Sequence, residues 1–469
     1  MLLSENAKLS ATTARLGTDP LPKLLLRLSL PSIVSMIVIS LYNLVDAIWL
    51  GQLGYQAIAV VTVFMPFFIV CMAIGVGIGI GVNALSSRNF GAQDPEGANR
   101  ATGQAFFLCM IMGFVLMLVA NLFPREILLI CGSTEDLLEM GEQYLRIFGF
   151  GLPFFLFVAV SRNIFMASGE AIKPMFFIIF AQVANIILDP LFIFGLGPFP
   201  EMGVAGAAMA TALASGLGAM LALWYILSGR TPYRLRFHHL KPSAKTILAI
   251  SRVGLPSMLM ELTGGVGFAV FNHVAAVYGS VVLAATGIAG RIADLAFMPI
   301  FGMAHGVLPI IGFSLGARHW TRLWGTARLA ILWLSILMFF STLILEIFAP
   351  QIIRIFNTDP ALLEVAIPGM RIFCSTLILY GPLVIFITTF QGLSKGTLAM
   401  FVSLCHQFLF FIPGLLLFPL LWNLTGVWIA MPVSDFLGAS LASWLMYREY
   451  RRQKNRDYWK GYVPSAKAD

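Results

Sequence analysis

Apolar stretches of twenty or more residues recur along this chain from one end to the other, and no other feature restricts its fold so severely. Each is long enough to cross about 30 Å of hydrocarbon at about 1.5 Å per helical residue, so each reads as a membrane-spanning helix. Composition agrees, with 59% hydrophobic and 11% charged residues against about 25% charged in a soluble domain. The chain is expected to be an all-α polytopic membrane protein. Its twelve helices fall near residues 29–50, 57–82, 101–123, 144–168, 173–195, 203–228, 246–272, 280–310, 323–349, 365–390, 397–420 and 425–447. The eighth stretch is overlong and holds Pro299 and Pro309, which predicts tilting or local unwinding there.

Basic residues orient the spans. The segments on one side hold Lys8, Arg15, Lys23, Arg27, Arg88, Arg100, Arg162, Lys173, Arg230, Arg234, Arg236, Lys241, Lys245, Arg318, Arg322, Lys395 and the tail from Arg448 to Lys467. The opposite loops carry Arg125 and Arg354. An even count with this bias places both termini in the cytoplasm and the chain in the cell (plasma) membrane. The net charge of +8 is thereby topological, and no nucleic-acid partner is expected.

Several function classes are disfavoured. The start, MLLSENAKLSATTARLG, lacks a basic segment followed by an apolar core and a small-residue cleavage site, so no cleaved signal peptide is expected. Cys71, Cys109, Cys131, Cys374 and Cys405 are scattered without metal or redox spacing, and the six histidines form no ligand pattern. No GxxxxGK[ST] loop is present for an ATP-driven pump. An integral membrane enzyme would need acid, base or nucleophile groups near the interface, whereas the acids here sit at mid-depth.

Internal repeats divide the chain. Leu30-Pro31-Ser32 recurs as Leu255-Pro256-Ser257, and Gly91-Ala92 as Gly316-Ala317, both 225 residues on. LLEMGEQYLRIF (137–148) and LLEVAIPGMRIF (362–373) stand at the same displacement and share their first three and last three residues. Two six-helix bundles in parallel orientation are implied, related by an axis along the membrane normal. The expected organisation is a cytoplasmic segment 1–28, a first lobe 29–228, a linker 229–245, a second lobe 246–447 and a basic cytoplasmic tail 448–469.

The repeat also isolates the polar residues that the scaffold does not need. Asp46 aligns with Phe271, Asn185 with Phe410 and Asp189 with Gly414, so the polar set belongs to one half only. Helical spacing places Tyr42, Asn43 and Asp46 on one face, and Asn185 with Asp189 on another. Pro190 lacks an N–H and leaves the Ile186 carbonyl without its usual partner, which adds an oxygen near Asp189. With hydroxyls from Thr211 or Tyr144, these are hard oxygen ligands suited to H⁺ or Na⁺ and poorly suited to soft metals. A carboxylate at bilayer depth costs about 2.5–3.5 kcal/mol, so intramembrane acids are functional by default. Two together cannot both stay ionised cheaply, so the pair is expected to carry a proton or a cation.

The block ASGEAIKPMFFIIFAQVANIILDPLFIFGLGPFPEMGVAGAAMATALASG (167–216) resembles the multidrug and toxic compound extrusion (MATE) transporters. So do YNLVDAIWLGQLG in the first helix and NFGAQDPEGANRA after the second. The resemblance, to the archaeal and DinF-like branch, implies two lobes forming a V-shaped cleft and export of organic, often cationic, compounds in exchange for inward H⁺ or Na⁺. It also implies a first-lobe cation site of Asp46, Asn185, Asp189 and Thr211, with Tyr42 and Tyr144 nearby and bending at Pro31. Glu261 falls where the NorM-like branch has an essential acid, but the tenth helix lacks the aspartate paired with it there, which argues against a second cation site. Arg291 and Asp294, three apart on one helical face, are expected to neutralise each other, and Asp435 either lines the cleft or bonds locally. Gly75, Gly77, Gly79 and Gly81 predict close helix packing. A lipid-linked saccharide flippase of the same superfamily is the alternative, and it would favour extra helices and a cation-rich cleft. No cofactor beyond the coupling ion is expected, and the partners are small organic molecules and membrane lipids around a monomer.

Overall fold

The protein is described from a computed structural model covering residues 11–455; Lys8 and the end of the basic tail lie outside the described residues. Among them the chain is helical, without strands. A short helix α1 (residues 11–18) leads into α2 (Leu21–Gln52), α3 (Tyr55–Gly91), α4 (Pro95–Leu122), the short piece α5 (Pro124–Ile130), α6 (Glu135–Ala167), α7 (Ile172–Ile193) and α8 (Val204–Leu227). The second half holds α9 (Ala244–Ala276), α10 (Ser280–Gly316), α11 (Trp320–Phe356), α12 (Pro360–Cys374), α13 (Leu377–Gly392), α14 (Gly396–Leu404), a π-helical turn at Cys405–Phe411 and α15 (Ile412–Asn455). Nine unbroken spans, the bent pair α12–α13, and the two arms on either side of Trp422–Asn423, where the backbone leaves helical geometry, give twelve crossings.

The expected break in the eighth span is absent. α10 runs unbroken through Pro299 and Pro309, because its second half is held on two sides by the other lobe, and neighbouring helices make proline tolerable in a span. The break falls instead in the tenth span, where α12 and α13 meet at 43°.

Buried apolar side chains form two main clusters. One joins α3, α4, α6 and α8; the other joins α10 to α15 and draws in Leu24, Leu25 and Leu28 from the start of α2. The halves meet along a seam of small residues. Gly75 and Gly79 of α3 face Leu156 and Asn163 of α6, whereas Gly77 and Gly81, on the opposite face, meet the backbone of Gly254 and Ile250 of α9. A Cβ on Gly91 would strike the Phe313 carbonyl, and one on Gly316 would strike the Arg88 carbonyl. Gly77 against Met258 is likewise matched by Gly302 against Ile33. Each pair is its partner displaced by the repeat, so the seam lies along a pseudo-two-fold axis. Gln93 and Arg318, also repeat mates, share a left-handed backbone at φ 56° and 58°.

Close contact between the halves is confined to the end that carries the linker. Gly265, 3.5 Å from Ile69, is the last of these glycine contacts along α9 toward the far end, and a Cβ on Gly264 or Gly287 would meet nothing within 4 Å. The result is a V open at the far end. Two further features tie the linker end. The α1 residue Leu16 is fully buried, and its carbonyl accepts from Arg322 Nε at 2.7 Å, while Thr13 Oγ1 donates to the Ser168 carbonyl. The linker itself is clamped on α4: Gln104 Nε2 donates to the carbonyls of His239 and Lys241, both at 2.7 Å, and Gln104 Oε1 accepts from the Ser243 N–H at 2.9 Å.

Candidate functional site

The polar residues of the first half come together where α2, α6, α7 and α8 converge. Asn185 and Asp189, one turn apart on α7, are fully buried. The Asn185 amide is assigned with its nitrogen toward the carboxylate, because the reverse sets oxygen against oxygen. It then donates to Asp189 Oδ2 at 2.8 Å, while its oxygen accepts from the Thr211 N–H at 3.1 Å and the Thr211 hydroxyl at 3.2 Å. Asp46 comes from α2, close enough for its charge to act on Asp189. Tyr42 stands beside Thr211 and within reach of both carboxylates and of Tyr144. Of the expected set only Asn43 stays apart, exposed and without a side-chain hydrogen bond among the described residues.

One oxygen on each carboxylate, Oδ1 of Asp46 and Oδ1 of Asp189, is buried and has no hydrogen-bond partner. Buried polar atoms are almost always satisfied, so two orphaned acceptors of like charge in one place are a specific chemical demand. A proton on one carboxyl, or a hard cation among these oxygens, meets it. The donor set fits such an ion: Asp46, Asp189, Thr211 and the Asn185 oxygen are hard ligands. Aromatic rings close one wall, with Tyr144 edge-on to Phe64 at 5.1 Å and stacked on Phe148 at 6.1 Å.

The second half builds the same place without polarity. Phe271, the repeat mate of Asp46, is buried among Phe373, Phe411 and Trp428, with ring centroids 5.8–6.3 Å away. Glu261 is exposed and unpaired among the described residues. Arg291 and Asp294, both exposed on α10, do not form the expected ion pair. Pro31 and Pro190 both lie inside continuous helices, and the Ser32 and Ser35 hydroxyls donate to the Leu28 and Pro31 carbonyls around the first.

Three further constellations lie outside this cluster. Asp435 bonds locally: Oδ2 accepts from Thr376 Oγ1 at 2.8 Å and Oδ1 lies 3.0 Å from His406 Nε2, which sits on the π-helical turn. Glu96, His238 and His239 gather at the linker, with His239 Nε2 3.0 Å from Glu96 Oε1. His239 Nδ1 accepts from the Arg236 N–H at 3.0 Å, so its proton sits on Nε2, and the imidazole clasps Glu96 rather than offering a lone pair to a metal. Arg162, counted above with the loops, lies inside α6 and reaches His305 on α10. The repeat would have flagged two of these, since the mates of Arg162, His406 and Asp435 are Ile387, Ala181 and Ala210.

Comparison with known proteins agrees with this architecture. The MatE family model matches residues 31–191 and again 256–416, two segments separated by the displacement that relates the glycine pairs. The multidrug export protein MepA of Staphylococcus haemolyticus is 25% identical over 426 residues, spanning 91% of this chain and 93% of its own length. A multidrug resistance MATE family transporter in an outward-facing conformation superposes with a TM-score of 0.89 at 26% identity, covering 94% of this chain and 98% of the other. A MATE in a bent conformation does so with the same TM-score at 27% identity and the same coverage. With both halves matched and relatives aligned nearly end to end, the chain belongs to the MatE family, the multidrug and toxic compound extrusion transporters.

Proposed function

We propose that the protein is a secondary antiporter that exports organic, often cationic, compounds in exchange for H⁺ or Na⁺ entering through the first lobe. The observation that carries this reading is the pair of orphaned oxygens on Asp46 and Asp189. Loading one cation satisfies both, whereas release leaves two like charges in a poorly solvated pocket. Differential affinity between conformations is the only lever by which an ion can move the lobes. Asp46, Asn185, Asp189 and Thr211 hold the ion, Tyr42 and Tyr144 line its surroundings, and Pro31 and Pro190 are the places where α2 and α7 bend. The basic bias puts the linker end in the cytoplasm, so a V open at the far end faces outward, in the state that releases substrate and takes up the ion. Purified protein in liposomes, given an imposed Na⁺ or pH gradient, should drive a cationic dye across the liposome membrane against the direction of ion flow. Flux indifferent to both gradients would remove the antiport reading.

A further inference from the structure

Arg162 on α6 donates from Nη2 to His305 Nε2 on α10 at 2.7 Å, and this bond crosses from one half to the other. Arginine has five donors and no acceptor, so the direction is fixed: His305 accepts at Nε2 and is the neutral tautomer with its proton on Nδ1. The guanidinium is only partly exposed, and no carboxylate acts on it among the described residues. The carboxylates of the cation site lie far away, since Tyr144 is eighteen residues back along α6, about 27 Å of helix. The surroundings are the closed end of the V. Asn163, next in sequence, faces Gly79, while Gly302 and Gly306, on either side of His305, face Ile33 and Ser29.

A charge drawn partly out of water is normally paired, and here, among the described residues, the hydrogen bond that meets a permanent cation comes from a neutral imidazole. What it lacks among the described residues is an anion. We propose that Arg162, steadied by His305, is the anion-recognition point of the cleft, taking the carboxylate of zwitterionic or anionic aromatic substrates. A planar guanidinium suits a carboxylate through two parallel hydrogen bonds, which a lysine ammonium cannot reproduce. The inference rests on the exporter reading for the presence of a substrate, but it concerns binding and needs no ion gradient.

The test uses a matched pair of fluorescent amino-xanthene dyes, one bearing a free benzoate and the other its methyl ester. Binding to the purified parent, Arg162→Lys and Arg162→Gln is measured in detergent micelles, with monodispersity and melting temperature checked. The parent should prefer the free acid; Arg162→Gln should lose about tenfold or more in acid affinity while holding the ester as before, with Arg162→Lys between. A parent without preference for the acid overturns the proposal before any variant is made. So does a folded Arg162→Gln that weakens both dyes equally, which would recast the pair as a latch between lobes. If Arg162→Gln does not fold, excess benzoate must displace the acid dye from the parent and spare the ester, or the proposal fails. A normal acid preference without gradient-driven flux would instead remove the antiport reading and leave this site standing.

Discussion

Gly91 rests against the carbonyl of Phe313, and its repeat mate Gly316 rests against the carbonyl of Arg88. Two halves so matched close on each other with backbone against backbone, and a side chain at either glycine forces them apart. Gly91→Ala or Gly316→Ala should destabilise the closed linker end by about 1–3 kcal/mol, the usual penalty of overpacking. Spin labels at Ala92 and Ala317 should report a broader, longer distance distribution in either variant. Unchanged distances would show that the seam does not limit opening.

The cation site makes a graded demand. Asp46→Asn should abolish gradient-driven export, and Asp189→Asn, which mimics the neutral carboxyl, should uncouple export while keeping some substrate binding. Asn185→Ala strips Asp189 Oδ2 of its donor, a loss of about 1–3 kcal/mol for a buried polar group. Flux and dye binding compared across a pH and Na⁺ series separate these outcomes; normal gradient dependence in Asp189→Asn takes that residue out of coupling.

The lobes are unequal, so equivalent damage should have unequal effects. Glu261→Gln should leave substantial ion-coupled transport. Phe271→Ala, which hollows out the cluster with Phe373, Phe411 and Trp428, should lower stability by about 3–5 kcal/mol through packing alone. A folded but inactive Glu261→Gln would mean that the second lobe also carries an ion.

His406 and Asp435 form a closed buried pair. Removing His406 leaves a carboxylate with Thr376 as its remaining partner, so His406→Ala should cost about 3–5 kcal/mol, and the double variant with Asp435→Leu should recover part of it. Additive melting-temperature losses in that cycle would show that the two residues do not depend on each other.

Orientation is checked by labelling. Gln52 and Glu201 lie exposed at the open end, and Asp94 and Lys241 lie exposed at the linker end. Cysteines at the first two should react with an impermeant reagent on intact cells and those at the other two should not. The reverse pattern would invert the direction of transport.

The sequence by itself determined the helices, their number and their grouping into repeats, because membrane crossing is a matter of length and polarity that any stretch declares locally. It also isolated Asp46, Asn185 and Asp189, since the repeat supplied Phe271, Phe410 and Gly414 as controls and i, i+4 spacing put partners on one face. It misjudged what depends on distant neighbours. The eighth span stays whole because the other lobe grips Gly302 to Gly316, which no local reading of Pro299 and Pro309 contains. Arg291 and Asp294 have the right spacing and do not pair, because spacing brings two residues to one face without deciding which way long side chains turn. Arg162 with His305, and His406 with Asp435, join residues 143 and 29 positions apart. Only the packing of helices from different parts of the chain decides that a charge meets an imidazole, and for Arg162 it also decides that the charge meets no acid among the described residues.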